Sequence, residues 1–252
     1  MNYQDINARA VDRCVEEGWE WGQPIDHATW LRAAAGDWSV LLTPTRPVPR
    51  DWFGDLRNRR LLGLASGGGQ QMPVFAAAGA ACTVLDYSSR QLACERLVAE
   101  REGYAIEIVR ADMTRPLPFA DAGFDIVFHP VSNCYIEDPE PLWRECFRVL
   151  KPGGELLAGF ASALIYAVDF HDETRIVRRL PFNPVKDPSL MALLAEEGGA
   201  VEFSHSMEEQ IGGQLRAGFQ LKDLYEDTSG SGPLHEMNIP TFMATRAVKP
   251  FA

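Results

Sequence analysis

The segment LLGLASGGGQQ, residues 61–71, constrains this chain more than any other. An apolar run of strand length passes directly into three glycines and then into a helical start. Without side chains, Gly67, Gly68 and Gly69 let the backbone turn sharply and approach a ligand closely, with the amides of the helix start facing it. A plain strand-to-helix turn needs one such residue, not three, so the cluster is read as a ligand loop.

From residue 59 onward, strand-length apolar runs alternate with helical patterns. The runs Arg60–Ala65, Ala81–Asp86, Ala105–Arg110 and Phe124–His129 are separated by segments long enough for crossover helices, and a fifth strand spans Glu155–Phe160. Such alternation predicts a parallel, doubly wound sheet with helices on both faces. After Asp86, Ser88-Ser89-Arg90-Gln91 has capping-box spacing, and the helix that follows places Cys94, Leu97 and Val98 on one face. A further helix is expected with Asp138 as cap and Pro139 as first residue, ending at Lys151-Pro152-Gly153-Gly154. Near the end, a helix at 207–216, a strand at 219–226 and a strand near 239–248 predict an antiparallel hairpin on the sheet edge. The fold class is therefore α/β, with seven strands, mostly parallel.

Two segments lie outside this pattern. Residues 1–58 carry Trp19, Trp21, Trp30, Trp38 and Trp52 and are read as a helical cap, with Asp26 capping a helix to about Ala35 that Gly36 ends. Residues 161–205 form a polar, Pro-containing insertion on the substrate side. The division expected is thus a cap at 1–58 and a main domain at 59–252. At 252 residues, one α/β domain with an appendage is the natural organisation. No apolar run is long enough to span a bilayer, and the N-terminus lacks the basic-then-apolar order of a secretory signal, so a cytoplasmic location without membrane partners is expected. Five scattered cysteines without a Cys-x-x-Cys pair suggest neither disulfides nor a metal site. A formal charge of −11 with no local basic patch argues against a nucleic-acid partner.

Asp86 ends the second strand nineteen residues after Gly67, near the offset at which a carboxylate accepts hydrogen bonds from a ribose diol. Asp112 follows the third strand in RADMTRPLPF, where it can accept from an adenine amine while Met113 packs on the ring. Turn formation is an equally good reason for an aspartate there.

The succession LLGLASGGG, VLDYS, RADM, FDIVFH and RVLKPGGEL, with a terminal strand pair, resembles the class I S-adenosylmethionine-dependent methyltransferases over roughly residues 59–248. The resemblance implies that the glycine loop, through Ala65, Gly67 and Gly69, lies against the methionine part of S-adenosylmethionine. It also implies that Asp86 with Tyr87 serves the ribose and Asp112 with Met113 the adenine. The chain departs from the family at Gly63, where an acidic residue is usual, and at Ala65, where the first glycine is usual. Gln70 or Gln71 can substitute as the polar partner of the methionine end. A nicotinamide-dependent oxidoreductase shares the strand, turn and acidic residue, but a G-x-G-x-x-G register from Gly67 reaches Met72 at its third glycine. A non-catalytic binding protein on the same fold is the third reading.

Methyl transfer from a sulfonium needs alignment and exclusion of water more than a catalytic triad. The loop HPVSNCYIEDP, residues 129–139, follows the fourth strand, where the family places residues around the transferable methyl. His129 is a candidate base, also placed beside the cofactor, or a structural histidine ending a buried strand; Asn133 and Tyr135 would orient the acceptor. Cys134 is read as a packed thiol. His27 is a second base candidate if the cap closes over the site. The acceptor is expected to be a small molecule covered by the cap and the insertion. The tryptophans offer an aromatic wall, and Arg175, Arg178 and Arg179 offer either a clamp for an acidic group or a solvated helix face.

Overall fold

The computed structural model describes residues 2–251. Five strands run parallel: β1 (Arg60–Leu64), β2 (Ala81–Asp86), β3 (Glu107–Arg110), β4 (Phe124–His129) and β5 (Leu150–Ala161). The sheet is completed by a hairpin pair: β7 (Phe242–Val248) runs antiparallel to β5, and β6 (Gln220–Asp227), antiparallel to β7, forms the edge in the same direction as β5. The order is β3-β2-β1-β4-β5-β7-β6. The chain thus winds outward from β1 to β3 and then restarts at β4 on the other side of β1. That reversal opens a crevice between the carboxyl ends of β1 and β4, the place where open α/β sheets bind ligands.

The central strands are apolar on both faces because both are covered. Leu61, Leu62, Val84, Ile126, Val127 and Phe128 are fully buried. On one face, Trp52, Phe53, Phe75 and Phe128 build a core with residues from the N-terminal segment and from α3 (Gln71–Ala77), which follows the glycine loop. On the other, Leu142, Trp143 and Cys146 of α5 (Glu140–Val149) pack with Leu62, Leu156 and Phe219.

The N-terminal segment holds α1 (Tyr3–Glu16) and α2 (His27–Ala34); Asp26 caps α2 by accepting from the Thr29 amide at 2.7 Å. In α4 (Ser89–Glu102) the Ser88 side chain accepts from the Gln91 amide, and Gly103 ends the helix at φ +71°. The insertion contributes α6 (Leu164–Ala167) and α7 (Pro188–Glu197). A π-helical turn at Glu208–Gly212 leads into α8 (Gly213–Ala217), and α9 (Gly232–Glu236) precedes β7.

Three local expectations shift. The buried face of α4 is Gln91, Leu92, Glu95, Val98 and Ala99, while Leu97 points outward, because the helix packs on the glycine loop and not only on the sheet. Helix α5 begins at Glu140, one residue later than expected, with the Asp138 carboxylate accepting from the Glu140 amide. Residues 150–154 do not merely end α5 but open β5: Leu150 pairs with Phe124, and the register shift before Ile126 absorbs the extra residues with Gly153 at φ +77°. Among the described residues, no helix is long and apolar enough to cross a membrane.

Candidate active site

The crevice holds two adjoining cavities. The larger, about 310 Å³, lies over the glycine loop and reaches the insertion; the smaller, about 80 Å³, lies over the ends of β2 and β3. Val11, Ala65, Asp86 and Tyr135 line both. Helix α1 therefore roofs the junction, held there by the Tyr87 hydroxyl donating to Asp5 and by Asp12 accepting from Ser88 and Ser89.

Ala65 adopts φ +47°, the left-handed region that favours glycine, so it takes the conformation expected of the glycine it replaces. Ala65, Ser66 and Gly67 face the larger cavity. Gly69 does not: it lines neither cavity, and its amide donates to Glu95 Oε1 at 2.7 Å. The glycines answer chiefly to α4. A Cβ at Gly67 would lie 2.6 Å from Gln91 Cβ, and one at Gly69 would lie 2.8 Å from the Cys94 carbonyl oxygen. Gly63 has a comparable cause, since a Cβ there would meet Met72 Sδ at 2.4 Å. The space an acidic side chain would need is filled by that buried methionine.

Asp86 sits at the end of β2 with both carboxylate oxygens engaged, Oδ2 by the Gly67 amide at 3.1 Å and Oδ1 by the Ser88 amide at 2.9 Å. Burial pushes its carboxyl up to about 6, while these hydrogen bonds pull it down. Asp112 and Met113 line the smaller cavity beside Tyr87. Asp112 Oδ1 accepts from the Thr114 amide at 2.8 Å, so the turn-forming role is real, and Oδ2 lies 3.9 Å from Arg115 Nε. Gln71 lines the larger cavity and accepts from the Leu41 amide, whereas Gln70 donates to the Glu20 and Gln23 carbonyls and so ties the glycine loop to the cap.

His129 and Asn133 are drawn away from the cavities. His129 is fully buried; its Nδ1 lies 2.8 Å from the Leu64 carbonyl oxygen, which can only accept, so Nδ1 carries the proton and donates. Nε2 has no partner, and the ring meets Trp143 edge-on at 6.0 Å. Burial holds its pKa down at about 4. The imidazole ties β4 to β1 and lines neither cavity. Asn133 is equally buried and exchanges hydrogen bonds with Gln210 of the π-helical turn. Tyr135 remains on the wall of both cavities. Cys134 also reaches the larger one, as a buried thiol whose pKa is raised by that burial. His27 pairs with Glu102 at 2.8 Å, off the crevice. Of the five N-terminal tryptophans, Trp19 and Trp21 line the larger cavity, while Trp52 is core and Trp30 stacks on Tyr104. Arg175, Arg178 and Arg179 do not reach it; Arg178 lies over the Phe170 ring.

Sequence reasoning missed four polar residues. Ser66 Oγ and Gln91 Oε1 are buried without a hydrogen-bond partner on residues lining the larger cavity. Tyr166 and Glu202, from the insertion, line the same cavity and are joined by a 2.8 Å hydrogen bond. The only sequence sign of these was a glutamate set in the apolar run VEF, residues 201–203.

A sheet of this order with a glycine loop and an acidic residue closing β2 defines a Rossmann-like methyltransferase. A methyltransferase domain family model matches residues 62–158. The Bacillus subtilis protein YbaJ, described as an uncharacterized methyltransferase, is 41% identical over 249 residues, spanning 96% of this chain and 97% of its own. A demethylmenaquinone methyltransferase of Clavibacter sepedonicus is 31% identical over 223 residues, 83% of each chain. An S-adenosylmethionine-dependent methyltransferase of Mesorhizobium loti superposes with a TM-score of 0.62 at 21% identity, covering 79% of this chain and 94% of that one. The chain belongs to the class I S-adenosylmethionine-dependent methyltransferases.

Proposed function

We propose that the chain transfers a methyl group from S-adenosylmethionine to a small-molecule acceptor bound in the larger cavity. The observation that carries this reading is the junction of the two cavities at Ala65, Asp86 and Tyr135, which puts a carboxylate and an open backbone loop between an adenine-sized slot and a roomier chamber. The cofactor fits the residues present. Asp86 has lone pairs left on both oxygens for a ribose diol, and Met113 offers an apolar face in the smaller cavity beside Asp112 and Tyr87. The unpartnered Ser66 Oγ and Gln91 Oε1 are acceptors for the methionyl ammonium, which supplies what Gly63 lacks. Gln71, on the same wall, is a further polar contact.

When bound, the cofactor supplies a methyl on a sulfonium, whose leaving group departs neutral. The chain's own part is to align the acceptor and keep water out. Tyr135 is suited to orient the acceptor, because it alone of the loop after β4 borders both cavities. His129 and Asn133 act at one remove, by fixing that loop. The relative from Clavibacter sepedonicus is named for demethylmenaquinone, a small molecule, which supports an acceptor of that size class.

Calorimetry with S-adenosylmethionine and its demethylated product tests the cofactor half: saturable 1:1 binding is expected. Binding of a nicotinamide dinucleotide instead would overturn it. Transfer of labelled methyl into a metabolite mixture tests the other half.

A further inference from the structure

We propose that Glu202, held by Tyr166, selects the methyl acceptor, and that the acceptor presents a hydrogen-bond donor to this carboxylate and carries no anionic group of its own. The inference rests on the methyl-transfer reading above and deepens it.

Glu202 is fixed from both sides. The preceding residue, Val201, is locked to α1: its amide donates to Asn7 Oδ1 at 2.6 Å and its carbonyl accepts from Asn7 Nδ2 at 2.9 Å. The following residue, Phe203, donates its amide to the Cys134 carbonyl at 2.7 Å. Between these anchors the Glu202 side chain enters the larger cavity, and its Oε2 accepts from the Tyr166 hydroxyl at 2.8 Å. Tyr166 is itself immobilised, being 3% exposed and stacked on Phe182 with ring centroids 5.5 Å apart. A backbone this tightly held, reached from α1, the loop after β4 and the insertion, is not needed to park a solvated glutamate.

The surroundings define what the carboxylate can meet. Among the described residues no Lys, Arg or His lines this cavity, and the other carboxylate on its wall is Asp86. Trp19, Trp21, Tyr135 and Phe242 supply aromatic faces to a wall otherwise aliphatic and polar. A carboxylate accepts about four hydrogen bonds, and Tyr166 takes one of those positions. An acceptor bearing a carboxylate or phosphate would meet Glu202 and Asp86 with no protein cation on the wall to offset them, a like-charge juxtaposition that weakens its binding. A neutral or cationic acceptor with a hydroxyl or ammonium group and an aromatic body meets complementary partners throughout. Burial raises the Glu202 pKa, and the Tyr166 hydroxyl, by donating to the carboxylate, opposes that rise.

The test uses the full chain saturated with S-adenosylhomocysteine and matched ligand triplets built on a phenol and on an indole ring, each with a cationic, a neutral or a carboxylated side chain. For the phenol these are tyramine, 4-ethylphenol and 3-(4-hydroxyphenyl)propionate. Calorimetry should show the cationic and neutral members binding at least about tenfold more tightly than the carboxylated one. Glu202→Gln should shrink that preference below about threefold while leaving the dissociation constant of S-adenosylhomocysteine unchanged, and Glu202→Asp should retain it. Carboxylated members binding as well as the others, a preference that survives Glu202→Gln, or no member binding to the cofactor-loaded chain overturns the inference. Failure to bind S-adenosylhomocysteine at all is a different result and strikes the methyl-transfer reading itself.

Discussion

At Asp86 backbone amides engage both carboxylate oxygens, yet burial pushes the group up to about 6. Ribose hydroxyls donate to an ionised carboxylate better than to a protonated one, so cofactor affinity should rise with pH and level off above about 6. Asp86→Ala should weaken binding more than about tenfold, since charge-assisted bonds are worth about 1.5–3 kcal/mol. Asp112→Ala should do less, because one Asp112 oxygen already serves the Thr114 amide. Titration calorimetry of both variants between pH 5 and 8 checks the order and the pH dependence. His129 makes the opposite kind of prediction. Its proton is committed to the Leu64 carbonyl and its pKa is held near about 4, so His129→Ala should lower the melting temperature without introducing or removing a pH step in the transfer rate. A large rate loss in a variant that melts like the parent would restore the base role.

Among the elements, α1 joins the site to the rest of the chain. The Asn7 side chain, 6% exposed, bonds to the Tyr135 carbonyl and to both backbone groups of Val201, and Val11 borders both cavities. Asn7→Ala would strand buried partners, costing about 1–3 kcal/mol. Hydrogen exchange should show α1 amides losing protection while β1 and β4 keep theirs, and cofactor release should quicken. Equal loss across the sheet would mean that α1 folds as one unit with it. This helix was hidden in the sequence because its buried positions, Asn7, Ala8 and Ala10, are small or polar and leave no apolar stripe. The strands were legible for the converse reason: β1, β2 and β4 are covered on both faces and read as mainly apolar runs of strand length. Asp86 and Asp112 were legible because position after a strand is enough to place them. Glu202 and Tyr166 were not, since they stand 36 positions apart in an aperiodic insertion and only tertiary packing brings them together.

Over the whole molecule, the glycine loop, α4 and the cavity share one electrostatic economy with excess negative charge, and its pH response is calculable. Glu95 of α4 is fully buried, with Oε1 accepting from the Gly69 amide and Oε2 without a partner; burial pushes its carboxyl up to about 8, with the neighbouring Asp86 adding to the rise. Both folded pKa values stand above the ordinary carboxylate range, so the folded state holds protons that the unfolded chain releases. Their stabilising contribution is complete at pH below about 4, where both states are protonated, and is lost as pH rises through about 6 for Asp86 and about 8 for Glu95. Buried His129, held at about 4, acts in the opposite sense while the unfolded histidine titrates, but its shift is smaller than those of the two carboxyls together, so the ligand-free protein should melt at a lower temperature at pH 8 than at pH 5. Glu95→Gln, which keeps an acceptor for Gly69 and cannot ionise, should flatten the fall above about pH 6. Cofactor binding acts in the other direction: it adds RT ln(1 + [L]/Kd), about 2.7 kcal/mol at a hundredfold excess over Kd, and with Asp86 in the proposed ribose role it is favoured by the ionised carboxylate. The rise in melting temperature on adding S-adenosylhomocysteine should accordingly be larger at pH 8 than at pH 5, in the parent and in Glu95→Gln alike. Scanning calorimetry at four pH values separates the two effects. A slope unchanged in Glu95→Gln would mean that this glutamate is already ionised at pH 6, and a cofactor increment that shrinks with rising pH would mean that Asp86 does not hold the ribose.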